Sequence, residues 1–253
     1  MTRVAIIGNS HLTAFYEATE QILALYPTVE LFFFGLDNHV FFKADQLKGK
    51  ALRVAEPPER NRRQVINPKA AHRLNFDDFD LVLLTSHGFY LRHLFGALGS
   101  FNVLGLRALD DTGPVVSHAC LQDAMATHIN TYTSRLRRFL PRADNAVVVQ
   151  MPYPSIDAAG MSDALAGLQA QPDRAALFEM FNMQIQDQMF AKGLGYFPVP
   201  EPFLDSPFFT KAEHARKVAM AADAEIALTD YMHMNAGYAC GVFENVHAAL
   251  MSA

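Results

Sequence analysis

Ser10 stands in the run Gly8-Asn9-Ser10-His11, directly after an apolar stretch at residues 4–7. A glycine there lets the chain turn sharply, and helical spacing begins near Ser10. This puts a hydroxyl at a helix start on the carboxyl edge of a sheet, where the helix dipole favours negative charge. A serine nucleophile in acyl transfer needs that placement, because the oxyanion forms beside it. An ordinary N-cap needs it too, and taken alone Ser10 is better read as the cap. Adjacent residues at a helix start point in different directions, so His11 is expected to pack nearby rather than to act as the base.

A second group lies far along the chain. Asp230-Tyr231-Met232-His233-Met234-Asn235 precedes the last helical pattern. Asp and His three apart in a loop can face one another. The carboxylate then orients the imidazole and stabilises its protonated form, and the other ring nitrogen is left for a serine proton. The plainer reading of the same residues is a surface loop with Asn235 capping the helix. No third ligand of suitable spacing stands nearby, so no metal is expected. A dinucleotide fingerprint is absent as well: residues 8–13 hold one glycine where three are needed, and there is no P-loop lysine.

The elements that must position these residues follow from hydropathy. Buried-type strands are expected at residues 4–7, 29–35, 80–86 and 145–151, with a short fifth at 196–199. Helical spacing is expected at 10–26, 90–98, 117–140, 172–192, about 211–223 and 235–251. Gly193 and Gly195 are expected to close the helix before them. Residues 36–78 are less regular and suggest loops with a small hairpin. The proline-rich stretch at 198–207 reads as a long surface loop, equally a lid or a plain connection. Strand, helix, strand within about 35 residues makes a parallel pair with a right-handed crossover. The expected fold class is α/β: one three-layer α/β/α domain over 1–253, with a mostly parallel sheet of about five strands. Chemistry in such sheets sits at the carboxyl ends of the strands.

Composition narrows the function classes. With 253 residues, 51% hydrophobic and 19% charged, the chain is not disordered. It carries 21 Lys+Arg against 26 Asp+Glu, a net charge of −5, so nucleic acid is not an expected partner. The short basic cluster of Arg60, Arg62 and Arg63 reads as a solvated face. Two cysteines, Cys120 and Cys240, form no metal-like spacing and suggest a reducing compartment. No membrane span and no targeting segment is read, and a cytoplasmic location is the expectation. Oligomeric state is left open.

A serine after strand one and a D-x-x-H before the last helix together resemble the GDSL/SGNH hydrolase family. The family's G-D-S corresponds to Gly8-Asn9-Ser10, with asparagine in place of aspartate. Its D-x-x-H corresponds to Asp230 and His233. The resemblance implies an SGNH/flavodoxin-like fold and a catalytic triad of Ser10, Asp230 and His233. It implies an oxyanion hole from the backbone of Ser10 and of Gly35, which ends strand two. Thr85-Ser86-His87-Gly88 stands where the family has G-x-N-D. His87 falls at the asparagine position, where its imidazole N–H or the Gly88 backbone can donate. Phe89, Tyr90 and the 200–209 stretch are expected to wall the pocket. The implied activity is hydrolysis of small acyl esters, acetyl above all, through an acyl-enzyme and without metal or organic cofactor. An O-acetylated sugar or glycan precursor is the implied substrate. An O-acyltransferase acting on a sugar or lipid hydroxyl, and a catalytically inactive binding protein, are the two alternatives.

Overall fold

A computed structural model describes residues 1–35, 51–53, 73–85, 98, 101–106, 112–139, 145–161, 163–170, 174–219 and 227–251. The strands are, in chain order, β1 (Thr2–Gly8), β2 (Val29–Gly35), β3 (Ala51–Arg53), β4 (Arg73–Asn75), β5 (Leu81–Thr85), β6 (Asn102–Val103), β7 (Val115–Val116), β8 (Ala146–Val149), β9 (Gly195–Phe197), β10 (Leu204–Ser206), β11 (Phe209–Thr210), β12 (Ala215–Ala219) and β13 (Ala227–Met234). The helices are α1 (Leu12–Glu17), α2 (Thr19–Leu25), α3 (His118–Phe139), α4 (Asp163–Ala170), α5 (Ala175–Ala191) and α6 (Ala236–Met251).

Five strands form one parallel sheet in the order β2-β1-β5-β8-β9. Val4, Ile6, Ile7, Val82, Leu83 and Leu84 are completely buried. Strands covered on both faces must be apolar on both faces, which is why these segments read as continuous runs and not as alternating ones. The order turns back at β1: the first crossover runs outward to β2, and the later ones run the other way through β5, β8 and β9. Right-handed crossovers of opposite direction put their helices on opposite faces. Accordingly α1 and α2 pack with α6 in one layer, and α3 packs with α5 in the other. The result is a three-layer α/β fold of flavodoxin-like strand order, with the reversal opening a crevice at the carboxyl ends of β1 and β5.

Local chemistry explains several boundaries. The expected helix at 10–26 is two short helices that meet at Ala18, where the Thr19 hydroxyl donates to the Tyr16 carbonyl at 2.7 Å. Tyr26 leaves helical geometry because Pro27 follows it. Helix α5 ends in Gly193, at φ +65°. Its N–H donates to the Phe190 carbonyl and the Leu194 N–H to the Met189 carbonyl, both at 2.9 Å, which is the Schellman pattern. No atom lies within 4 Å of a Cβ built at Gly193. Gly193→Ala is therefore expected to destabilise the fold by backbone strain alone, about 1–2 kcal/mol, as read by urea unfolding.

Other expectations are corrected. Of the helix expected at about 211–223, the described residues 211–219 are not helical: a single 3-10 turn (Ala212–His214) leads into β12, which pairs antiparallel with β13. Ala, Arg and Lys favour helix, but the ladder to β13 overrides that weak preference. The D-x-x-H stretch belongs to this ribbon rather than to a loop. The proline-rich stretch is pinned down: β10 pairs with β11, Phe208 and Phe209 join the core, and the Thr210 hydroxyl donates to the Tyr153 carbonyl at 2.9 Å. In the irregular region, β3 and β4 form the small antiparallel pair that was expected. The expected helix at 90–98 (Leu98 apart), the Arg60, Arg62 and Arg63 cluster, and the site residues His87, Gly88, Phe89 and Tyr90 lie outside the described residues. Among the described residues no helix is long and apolar enough to cross a membrane.

Candidate active site

Gly8 ends β1 beside Gly35 at the end of β2, and both are buried at the carboxyl edge of the sheet. On the other side of Gly8 stands Thr85, the last residue of β5, whose hydroxyl donates to the Ile7 carbonyl at 3.2 Å. A Cβ on Gly8 would collide with that hydroxyl. The glycine is therefore required by close approach, and the chain can turn immediately after it. The Asn9 side-chain oxygen accepts the His11 backbone N–H at 3.1 Å, which fixes the turn. Asparagine offers the same acceptor as aspartate at this point.

The turn presents Ser10 exposed at the surface. The N-cap of α1 is His11, not Ser10, and it makes no side-chain capping bond. The Ser10 hydroxyl is committed elsewhere: its Oγ lies 2.8 Å from His233 Nε2. Residues 223 apart in sequence thus meet at hydrogen-bond distance. The His11 ring packs on the His233 ring, with centroids 4.6 Å apart and a 41° tilt. His11 is a packing partner of the imidazole, as expected from its place beside Ser10.

His233 is delivered by the β12–β13 ribbon, whose register is irregular at this point. Ala215 pairs with Met234 but Arg216 pairs with Asp230, so β12 advances one residue while β13 advances four. Residues 231–233 lie between those two pairs, so His233 sits in the bulge, beside its end at Met234. The bulged segment is held from below by the Ser155 N–H, which donates to the Tyr231 carbonyl at 2.9 Å. Arg216 donates to Glu17 of α1 at 2.5 Å, so the ribbon carrying His233 is tied to the helix that follows Ser10. This pair is partly exposed and contributes little energy by itself. The Asp230 side chain is outside what the structure describes.

Asn235 joins ribbon and helix. Its Oδ1 accepts the Tyr238 N–H at 3.0 Å, capping α6. Its Nδ2 donates to the Glu213 carbonyl at 2.7 Å and its backbone N–H to the His214 carbonyl at 2.9 Å. The sequence reading found the cap but not the cross-link, because the partner carbonyls lie on another segment. Asn235→Ala is expected to cost about 1–2 kcal/mol through the cap. Asn235→Asp keeps the cap acceptor and loses the amide donor. It should retain most of the thermal stability in an unfolding scan, which would separate the cap from the cross-link to the ribbon.

Behind the pair lies a small cavity lined by His11, Ala14, Phe15, Thr85, Val149, Gln150, Pro152, Met234, Tyr238 and Val242. Gln150 is buried and engaged: its amide nitrogen donates to the Tyr153 hydroxyl at 2.9 Å and its oxygen accepts the Val199 N–H at 3.2 Å. Burial pushes the Tyr153 hydroxyl up to about 12, against the hydrogen bonds of Asn182 and Gln150. The Tyr238 hydroxyl is buried and has no hydrogen-bond partner among the described residues, and burial raises its pKa strongly. Burial also holds the His214 imidazole below its ordinary value, although Glu213 pulls the other way. No composition or spacing signal marks Tyr238 or Gln150, since both read as core.

The structure therefore brings Ser10, His233 and the Gly8–Gly35 edge together, with Asp230 three residues before the imidazole on the same ribbon. Among the described residues no group of three or more His, Cys, Asp or Glu could hold a metal ion. Cys120 and Cys240 are free thiols. Fold and geometry define a three-layer α/β protein with a serine–histidine pair at the carboxyl edge of its sheet. No protein-family model matches the chain, and no curated protein sequence matches it significantly.

Proposed function

We propose that the protein is a serine-dependent hydrolase of small acyl esters, of the GDSL/SGNH kind. The observation that carries this reading is the 2.8 Å contact between Ser10 Oγ and His233 Nε2 at the carboxyl edge of the sheet. Serine is a weak nucleophile unless a base takes its proton, and this distance lets the imidazole do so. In the first half-reaction Ser10 Oγ bonds to the ester carbonyl carbon and its proton passes to His233 Nε2. The carbon–oxygen bond to the alcohol then breaks, and the proton goes to the departing oxygen. Water, deprotonated by the same imidazole, attacks the acyl-enzyme. The acid leaves and Ser10 regains its proton. Asp230 holds the ring with its proton on Nδ1, which keeps Nε2 free to accept. The backbone N–H groups of Ser10 and Gly35, with His87 or Gly88, receive the negative charge on the carbonyl oxygen. The substrate class is an acetyl-type ester, with an O-acetylated sugar or glycan precursor as the natural form. No metal or organic cofactor takes part, and the cytoplasm is the proposed compartment.

Labelling with a serine-directed fluorophosphonate tests this reading. Ser10 is expected to carry the label, His233→Ala to abolish it, and Asp230→Asn to slow it strongly. A label on a different serine, or on none, would leave a protein with this fold that binds without catalysis. Label on Ser10 with ester turnover only in the presence of an added sugar or lipid alcohol would turn the reading to acyl transfer.

A further inference from the structure

A base in the position of His233 has two tasks. It must keep Nε2 at the Ser10 hydroxyl, and it must carry a positive charge while the acyl-enzyme forms and breaks down. Residues 231–233 lie between the Ala215–Met234 and Arg216–Asp230 pairs, so no regular strand pair fixes His233. Its ring meets the imidazole of His11 instead, with centroids 4.6 Å apart and a 41° tilt. We infer that His11 is a positioning residue, whose ring face sets the orientation of His233 and favours the charge that forms on it. The inference rests on the hydrolase reading and adds a residue to its site.

The supporting ring is itself anchored. The His11 backbone N–H donates to Asn9 Oδ1 at 3.1 Å, its carbonyl accepts the Ala14 N–H at 3.2 Å, and its Nδ1 is closed off from solvent. The same turn presents Ser10. Nucleophile and supporting ring therefore belong to one short segment, and a base resting on that ring keeps its place 2.8 Å from the hydroxyl. The spacing suits the contact. Aromatic rings attract one another at about 4.5–7 Å between centroids when offset or tilted. An aromatic face also attracts a cation within about 6 Å of its centre. The contact thus strengthens when His233 takes the Ser10 proton. An interaction stronger in the transition state than in the ground state raises kcat rather than lowering KM. The role needs a flat ring on His11 and no exchangeable proton.

The test is the rate at which a fluorophosphonate labels Ser10 on the full chain, with kcat and KM for p-nitrophenyl acetate measured beside it. His11→Ala is expected to slow labelling and lower kcat by roughly 10- to 100-fold, the scale of loss when a reacting group is displaced by about 1 Å. KM should hardly change. His11→Phe keeps a ring face and should recover most of both rates. His11→Leu fills the space without such a face and should not. The comparison of Phe with Leu carries the test if His11→Ala fails to fold in a thermal scan. Labelling of His11→Ala at the original rate, His11→Leu matching His11→Phe, or a raised KM with kcat unchanged overturns the positioning role, while label on Ser10 keeps the hydrolase reading intact. Failure of Ser10 to label in the unsubstituted protein overturns both.

Discussion

Ser10→Ala and His233→Ala are each expected to lower kcat for an acetyl ester by roughly 10⁴- to 10⁶-fold, and the double variant should be no worse than either single. Groups that act as one unit are not additive. Once the nucleophile is gone, a base positioned for it has nothing to deprotonate; once the base is gone, the hydroxyl keeps its proton. In barrier terms this is about 5–8 kcal/mol, at 1.36 kcal/mol per tenfold. Stability should hardly change. Ser10 is exposed and does not cap its helix, so removing its hydroxyl costs the fold one surface contact. Steady-state turnover with thermal unfolding of each variant checks both halves. Losses that multiply in the double variant would show that Ser10 and His233 act separately. A Ser10→Ala protein as active as the original would remove the nucleophile altogether.

The sequence carried the frame of this site because the frame depends on local rules. A fully buried run ending in glycine marks β1, and only a glycine tolerates Thr85 at that distance. Proline after Tyr26 and Gly193 after Lys192 mark helix ends by the backbone angles they forbid or allow. The five-strand order follows from buried runs alternating with helical spacing. What was not legible is what depends on distant pairing. The β12 segment reads as helix until β13 is beside it. The register shift that puts His233 in a bulge exists only in the paired ribbon. For the same reason the choice between N-cap and nucleophile for Ser10 could not be made from Gly8-Asn9-Ser10 alone. It turns on a histidine 223 residues away. The Tyr238 hydroxyl was hidden by its neighbours, since an apolar helix face gives no sign of how its one oxygen is buried.

Loss of Arg174 should harm the fold strongly, and nothing in its sequence surroundings announces this. It is completely buried, and one guanidinium nitrogen donates to the Leu98 carbonyl at 2.6 Å and the Phe101 carbonyl at 3.0 Å. It sits at the N-cap of α5, where the helix dipole disfavours a positive charge. Its value therefore lies in its donors and not in the dipole. Hydrogen bonds to charged groups contribute about 1.5–3 kcal/mol each, and the buried Leu98 carbonyl left without a donor costs a similar amount, whereas Phe101 is exposed. Arg174→Met should accordingly destabilise by roughly 3–5 kcal/mol, a large share of the 5–15 kcal/mol typical of a folded protein. Arg174→Lys keeps the charge but loses the planar fork, and it should recover only part of the loss. Urea unfolding of both variants measures the loss. A loss below about 1 kcal/mol in Arg174→Met, small beside the cost of one unsatisfied carbonyl, would show that the buried Leu98 carbonyl finds another donor.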